Sequence, residues 1–181
     1  MAAPLTWLDQ RTGTLVRRWL VDEVAPAALF ARWADVPGQV HWVKGRVEAG
    51  WDTEPAGPRA GARWTTVTRV AGRRMTAHML AQRWRPPNLA EVAGSWPAGV
   101  RSIERLELEQ RPGGTLVDLT VGLALPLRPL DRLAWPLVSA YLGWAFEASF
   151  RMLARRAGGQ LQRVPDPGPD VGTWGLRPPI D

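Results

Sequence analysis

Along most of this chain apolar and polar residues alternate at a spacing of two, the pattern of half-buried strands. The first such run is Gly13 to Val24. Pro26 follows, a residue suited to a first helical turn, and Ala27 to Ala34 places apolar side chains at 29, 30 and 33, which predicts a short helix. Asp35-Val-Pro-Gly ends that helix, and a second short helical turn is expected from Gly38 to Trp42. Val43 to Ala49 reads as a strand and Trp51 to Gly61 as a Pro/Gly-rich loop. Ala62 to Val70 and Arg73 to Trp84 are two strands joined by Ala71-Gly72, a two-residue hairpin connection. Arg85-Pro-Pro-Asn88 interrupts the sheet, and Leu89 to Ala93 is expected as a short edge strand.

Val100 to Gln110 and Thr115 to Leu125 flank Arg111-Pro-Gly-Gly114, a strong hairpin signal. The alternation then stops, and a helix is expected from Asp131 to about Arg156, with Pro136 near its first turns and Gly158-Gly159 as its stop. A sheet must bury one face, and this helix is the one large apolar partner on offer. The pattern predicts an α+β domain: an antiparallel sheet of six or seven strands wrapped around a long C-terminal helix, with two short helices after the first strand. Residues 1–12 read as an N-terminal extension, 13–157 as the domain, and 158–181 as a Pro/Gly-rich tail, of which 165–181 is expected to contribute little to the sheet core.

Composition narrows the function classes. A chain of 181 residues without cysteine can bury an ample core without staples, and excludes disulfides, thiolate metal sites and cysteine nucleophiles. The N-terminus has no signal-peptide pattern, and no stretch reaches the roughly 20 apolar residues of a membrane helix, so a cytoplasmic protein without stable membrane insertion is expected. The net charge is +6, with Lys44 as the single lysine. The arginines are scattered along the chain rather than gathered in a stripe, which argues against a nucleic-acid partner. Eleven tryptophans against one tyrosine suit a core with large voids to line, or a planar ligand. A homodimer is compatible with all of this.

Hairpin geometry selects the inward face. Around the second hairpin Leu108 opposes Val117, Leu106 opposes Leu119, Glu104 opposes Val121 and Ser102 opposes Leu123. Since 117, 119, 121, 123 and 125 are all apolar, this face points inward and takes Glu104 and Ser102 with it. Around the first hairpin Thr68 opposes Met75, Thr66 opposes Ala77 and Trp64 opposes Met79, with Arg63, Arg69, Arg74 and His78 on the outer face. The candidate ligand-lining set is Trp64, Thr66, Thr68, Met79, Ser102, Glu104, Leu106, Leu119 and Val121, with Trp144 added from the helix. Glu104 is the one candidate catalytic residue, because an inward acid must be paired, protonated or wetted. Two bland alternatives stand beside that reading: a core carboxylate satisfied by an arginine, or a register slip that exposes it. His41 and His78 have no metal-ligand spacing, and there is no nucleophile elbow, phosphate loop or dinucleotide fingerprint, so no metal or cofactor is expected.

Several segments in order carry a resemblance. Val-Asp-Glu-Val-Ala-Pro-Ala-Ala-Leu-Phe-Ala-Arg-Trp-Ala-Asp-Val (21 to 36) is similar to the strand-to-helix opening of the START-like proteins. That superfamily includes polyketide cyclase/dehydrases, lipid-transport proteins and plant pollen allergens. Ala60-Gly-Ala-Arg-Trp-Thr resembles their glycine-led strand, Pro112-Gly-Gly-Thr115 their last hairpin, and Leu130 to Arg156 their closing helix. The resemblance implies a helix-grip fold with an internal cavity for a lipid, polyketide or other hydrophobe, and it brings no shared catalytic set. Three readings stay open: a carrier or sensor of a hydrophobic small molecule, a polyketide cyclase/dehydrase-type enzyme using Glu104, and a membrane-surface or partner-binding module working through Arg151, Arg155 and Arg156.

Overall fold

Alternation and turn chemistry translate directly into elements. The computed structural model describes residues 12–53, 56–125 and 131–164. Strand β1 (Thr12–Asp22) leads to helix α1 (Pro26–Ala34), which starts on Pro26 and buries Leu29, Phe30 and Trp33. A 3-10 turn (Pro37–His41) follows, then strands β2 (Arg46–Trp51), β3 (Arg63–Val70), β4 (Arg73–Arg85), β5 (Leu89–Ser95), β6 (Arg101–Arg111) and β7 (Gly114–Ala124). Helix α2 (Asp131–Arg156) and a short strand β8 (Leu161–Arg163) complete the described chain. The eight strands form one antiparallel sheet in the order β2-β3-β4-β5-β6-β7-β1-β8.

Both hairpins take the register that their turns dictate. Trp64 faces Met79 and Thr68 faces Met75. Glu104 faces Val121 and Leu106 faces Leu119. The β6–β7 connection needs only Pro112 and Gly113, the latter at φ 86°, a turn position that suits proline followed by glycine.

The core lies between the inner sheet face and the C-terminal half of α2. Trp19 of β1 is completely buried and stacks on Phe150 of α2 with ring centroids 4.9 Å apart. Leu153 and Ala154 bury the next turn. Pro136 lies inside α2, in its second turn, where the helix goes without one backbone donor, the bond back to the carbonyl of residue 132. The other end closes with paired bonds, Gly158 N–H to Arg155 C=O and Gly159 N–H to Ala154 C=O, with Gly158 at φ 92°. This left-handed closure satisfies the last carbonyls and turns the chain back along the sheet.

Three expectations need correction. Leu89 to Ala93 is not an edge: β5 pairs with both β4 and β6, because tight turns at 86–88 and 97–99 return the chain on either side of it. The strand count is eight, since residues 161–163, expected in the tail, pair with β1, and Asp22 N–H bonds Gln160 C=O. β2 begins at Arg46, as the backbone of Trp42 and Val43 is still bonded to Gln39 C=O. The expected N-terminal extension, apart from Thr12, and the tail beyond Val164 lie outside the described residues.

Candidate functional site

Helix α2 and the sheet touch through Trp135 against Gly13 of β1 and through Phe150 stacked on Trp19. Between them, closed on one side by the 3-10 turn and β2, is a cavity of about 620 Å³. Its walls are overwhelmingly apolar: Trp33, Trp64, Met79, Val92, Leu119, Val121 and Leu123 from α1 and the sheet, and Leu142, Ala145, Phe146 and Phe150 from α2. Leu137 and Tyr141 border its mouth, and Leu137 is largely solvent-exposed.

Of the residues expected to line such a cavity, Trp64, Thr68, Met79, Ser102, Glu104, Leu119 and Val121 do so. Thr66 and Leu106 share the inward face but lie buried behind the wall. Trp144 is turned away: it is 55 % exposed, with Lys44 Nζ 5.3 Å from its ring centre. The reason is helical phase, since Ala145 and Phe146 take the cavity-facing positions of that turn. Of the histidines, His41 is exposed, and His78, also exposed, meets Thr65 Oγ1 through Nδ1 at 3.1 Å on the outer face. Among the described residues no cluster of His, Cys, Asp or Glu is arranged to hold a metal ion.

The polar groups of the cavity form a small set. Arg46 on β2 donates from Nη1 to Gln39 Oε1 at 2.7 Å, and Gln39 Nε2 lies 3.4 Å from Trp33 C=O. Trp96 Nε1 donates to Ser102 Oγ at 2.8 Å. Ser149 Oγ on α2 accepts from Lys44 N–H at 2.9 Å and donates to Ala145 C=O, tying the helix to the segment before β2. Arg46 Nε, Thr68 Oγ1 and Trp42 Nε1 are buried without a hydrogen-bond partner in the protein.

Glu104 retains some accessible surface because it faces the cavity, yet protein surrounds it. Burial raises its carboxyl above the ordinary value, and the Arg46 charge opposes that shift only in part. Burial likewise lowers Arg46 to about 10, with Glu104 pulling it back up. Arg46 therefore remains a cation at neutral pH.

Arg46 is the residue that sequence reasoning missed. Simple alternation would group it with Glu48 on the outer face. A bulge between Arg46 and Glu48 resets the phase, so Arg46 pairs with the inward Thr68 while Glu48 pairs with Val67 and bonds Arg74 outside. The signal was weak: one charged residue at the start of a short strand next to a glycine.

A pH-dependent prediction follows from Glu104. With its folded value raised, the native state holds the Glu104 proton at pH values where the unfolded chain has released it. Its stabilising contribution is complete below the ordinary carboxyl value and is lost as pH rises through the raised folded value. Glu104→Gln cannot titrate. Its stability relative to the parent should therefore increase with pH across that window, by at most about 1.4 kcal/mol per pH unit. Urea unfolding of both proteins from acid to neutral pH measures this, and a pH-independent difference would contradict it.

No protein-family model matches this chain, and no curated protein does. Solved structures do. A Rhodobacter sphaeroides protein aligns with a TM-score of 0.62 at 17% identity, covering 81% of this chain and 98% of its own. A Thermus thermophilus protein aligns with a TM-score of 0.63 at 17% identity, covering 80% and 97%. Ara h 8.0201 aligns with a TM-score of 0.58 at 11% identity, covering 81% and 97%. The chain has the helix-grip fold. At these identities the likeness speaks for the sheet and its gripped helix. Among the described residues no helix is long and apolar enough to cross a membrane.

Proposed function

We propose that this protein is a START-like carrier or sensor that binds a hydrophobic small molecule, a lipid, polyketide or similar compound, between the sheet and α2. The observation that carries the reading is the cavity itself: about 620 Å³, walled mainly by aromatic and aliphatic side chains with a few polar groups among them. Ligand pockets have this size and character, apolar area supplying affinity and sparse polar groups fixing orientation. The ligand-contacting residues in this reading are Trp64, Thr68, Met79, Ser102, Glu104, Leu119 and Val121. Native mass spectrometry of freshly purified protein, followed by solvent extraction, is expected to reveal an apolar compound bound one per chain. Protein that emerges empty and takes up no neutral hydrophobic dye would overturn the proposal.

One observation favours a second reading, a cyclase/dehydrase-type enzyme. A carboxyl raised by burial inside a ligand-sized cavity is suited to exchange a proton with a bound substrate. The bound compound itself separates the two: an enzyme converts it and loses roughly 100-fold or more in turnover on Glu104→Gln. A carrier returns it unchanged.

A further inference from the structure

Outside the cavity, large hydrophobic side chains that stay exposed are concentrated on one face of α2. Among the described residues they are Val16, Leu137, Tyr141, Trp144 and Met152. The last four follow one another at helical spacing with Ala148 between them, one stripe roughly opposite the buried Phe150 and Leu153. Scattered apolar residues on a surface are ordinary, whereas a row of four along one helix marks a face that something covers. Cations flank the row. Lys44 Nζ lies over the Trp144 ring, and Arg151 and Arg155 occupy the turns around Met152. Glu147, the one acid among the described side chains of the helix, is paired with Arg151.

The described chain ends beside this helix. β8 runs along β1 toward Arg18, whose C=O accepts from Val164 N–H, and the neighbouring Arg17 lies against Gly143 of α2. Residues 165–181 follow, with Asp166, Asp170 and Asp181 against a single arginine, Arg177, and with Trp174, Leu176 and Ile180 as their largest apolar members. From Val164 to Trp174 is ten residues, about 30 Å when extended, whereas a helix is only about 10 Å across. The segment therefore reaches the outward face of α2 with length to spare. It brings net negative charge to a positive rim and apolar side chains to an apolar row, while a second copy of the face would set its cations against their own kind. We propose that residues 165–181 fold back across the outward face of α2, with Trp174 on the apolar row and the aspartates among Lys44, Arg151 and Arg155. Because Leu137 and Tyr141 also border the cavity mouth, the segment in that position slows exchange of a cavity ligand. This second part rests on the proposal that the cavity binds a hydrophobe; the docking itself does not.

The chain has no cysteine, so one introduced thiol reports on a single place. Ala148→Cys puts it in the middle of the row, and its rate of reaction with a maleimide-polyethylene glycol is read in the full chain with and without Trp174→Ala. Reaction is expected to be about tenfold faster with Trp174→Ala, the protection given by a docked state populated about ten to one. Ala28→Cys, exposed on α1, should react equally in both backgrounds. Met152→Cys reads the same face should Ala148→Cys fail to fold. Equal rates on the row overturn the docking. Protection that appears only with phosphatidylglycerol vesicles overturns it in favour of an anionic membrane, and protection that grows with protein concentration overturns it in favour of a second copy. Release of the neutral dye Nile red is expected to be several-fold faster from the Trp174→Ala protein. A shielded thiol with equal dye release overturns the covering of the mouth. A protein that binds no dye removes the hydrophobe-binding proposal, while the thiol rates still decide whether the segment docks.

Discussion

Val117→Asp is expected to abolish cooperative folding. Val117 is completely buried on the inner face of β7, with Trp19 of β1 on one side and Leu108 of β6 on the other. A carboxylate there enters an apolar layer between sheet and helix with no cation among its cross-strand neighbours. Stranding an unpaired charge in such a place costs about 3–5 kcal/mol or more, comparable with the whole stability of a typical domain. Leu119 is a less decisive position, because its cross-strand neighbour on β1 is Arg17, which an introduced acid would meet. Thr120→Asp, one residue further on the outer face, serves as the control and should change stability by only about 0.5 kcal/mol. Circular dichroism with urea titration reads both. A Val117→Asp protein that unfolds at nearly the parent's urea concentration would mean that this face does not point inward.

Trp19→Ala should cost about 3–5 kcal/mol, the range for removing a buried aromatic side chain from a packed core. Trp19 has no exposed surface, and its stack on Phe150, at an interplanar angle of 19°, is where α2 is held against the sheet. Trp19→Phe should cost much less. Its indole Nε1 is buried without a hydrogen-bond partner, so the smaller ring forfeits packing but no hydrogen bond. Equal losses for Ala and Phe in urea unfolding would show that the indole ring, rather than general apolar bulk, holds the contact. A loss under about 1 kcal/mol for Ala would show that α2 is held from elsewhere.

The inward assignment of Val117, Leu119 and Glu104 is legible in the residue pattern alone, from a period of two and the position of one Pro-Gly turn. A two-residue connection leaves a strand pair a single register, and a one-residue slip would turn an apolar row to water. The start of α1 at Pro26 and the end of α2 before Gly158 are equally local, set by backbone preferences of a few residues. β5 was misjudged because a short run after two prolines reads as peripheral, whereas its neighbours are decided by where the chain returns on both sides.

The polar centre of the cavity was only half visible. Glu104 could be placed inward from its own hairpin, but its counterpart could not, because Arg46 reaches the cavity through a bulge and lies several strands away in the sheet. Thr66 and Leu106 were assigned the correct face, yet whether such a residue touches the cavity or lies behind its wall depends on how far α2 stands from the sheet at that level. Trp144 was lost for a related reason: a helix that is apolar on several sides does not announce its rotation, and packing of Phe150, Leu153 and Ala154 against the sheet sets it. The sequence by itself therefore determined strands, turns, hairpin registers and the sidedness of the sheet, all consequences of short-range sterics and burial period. Tertiary structure alone decided the size of the hollow, the rotation of the helix over it, and the meeting of Arg46 with Glu104, because each depends on contacts between segments far apart in the chain.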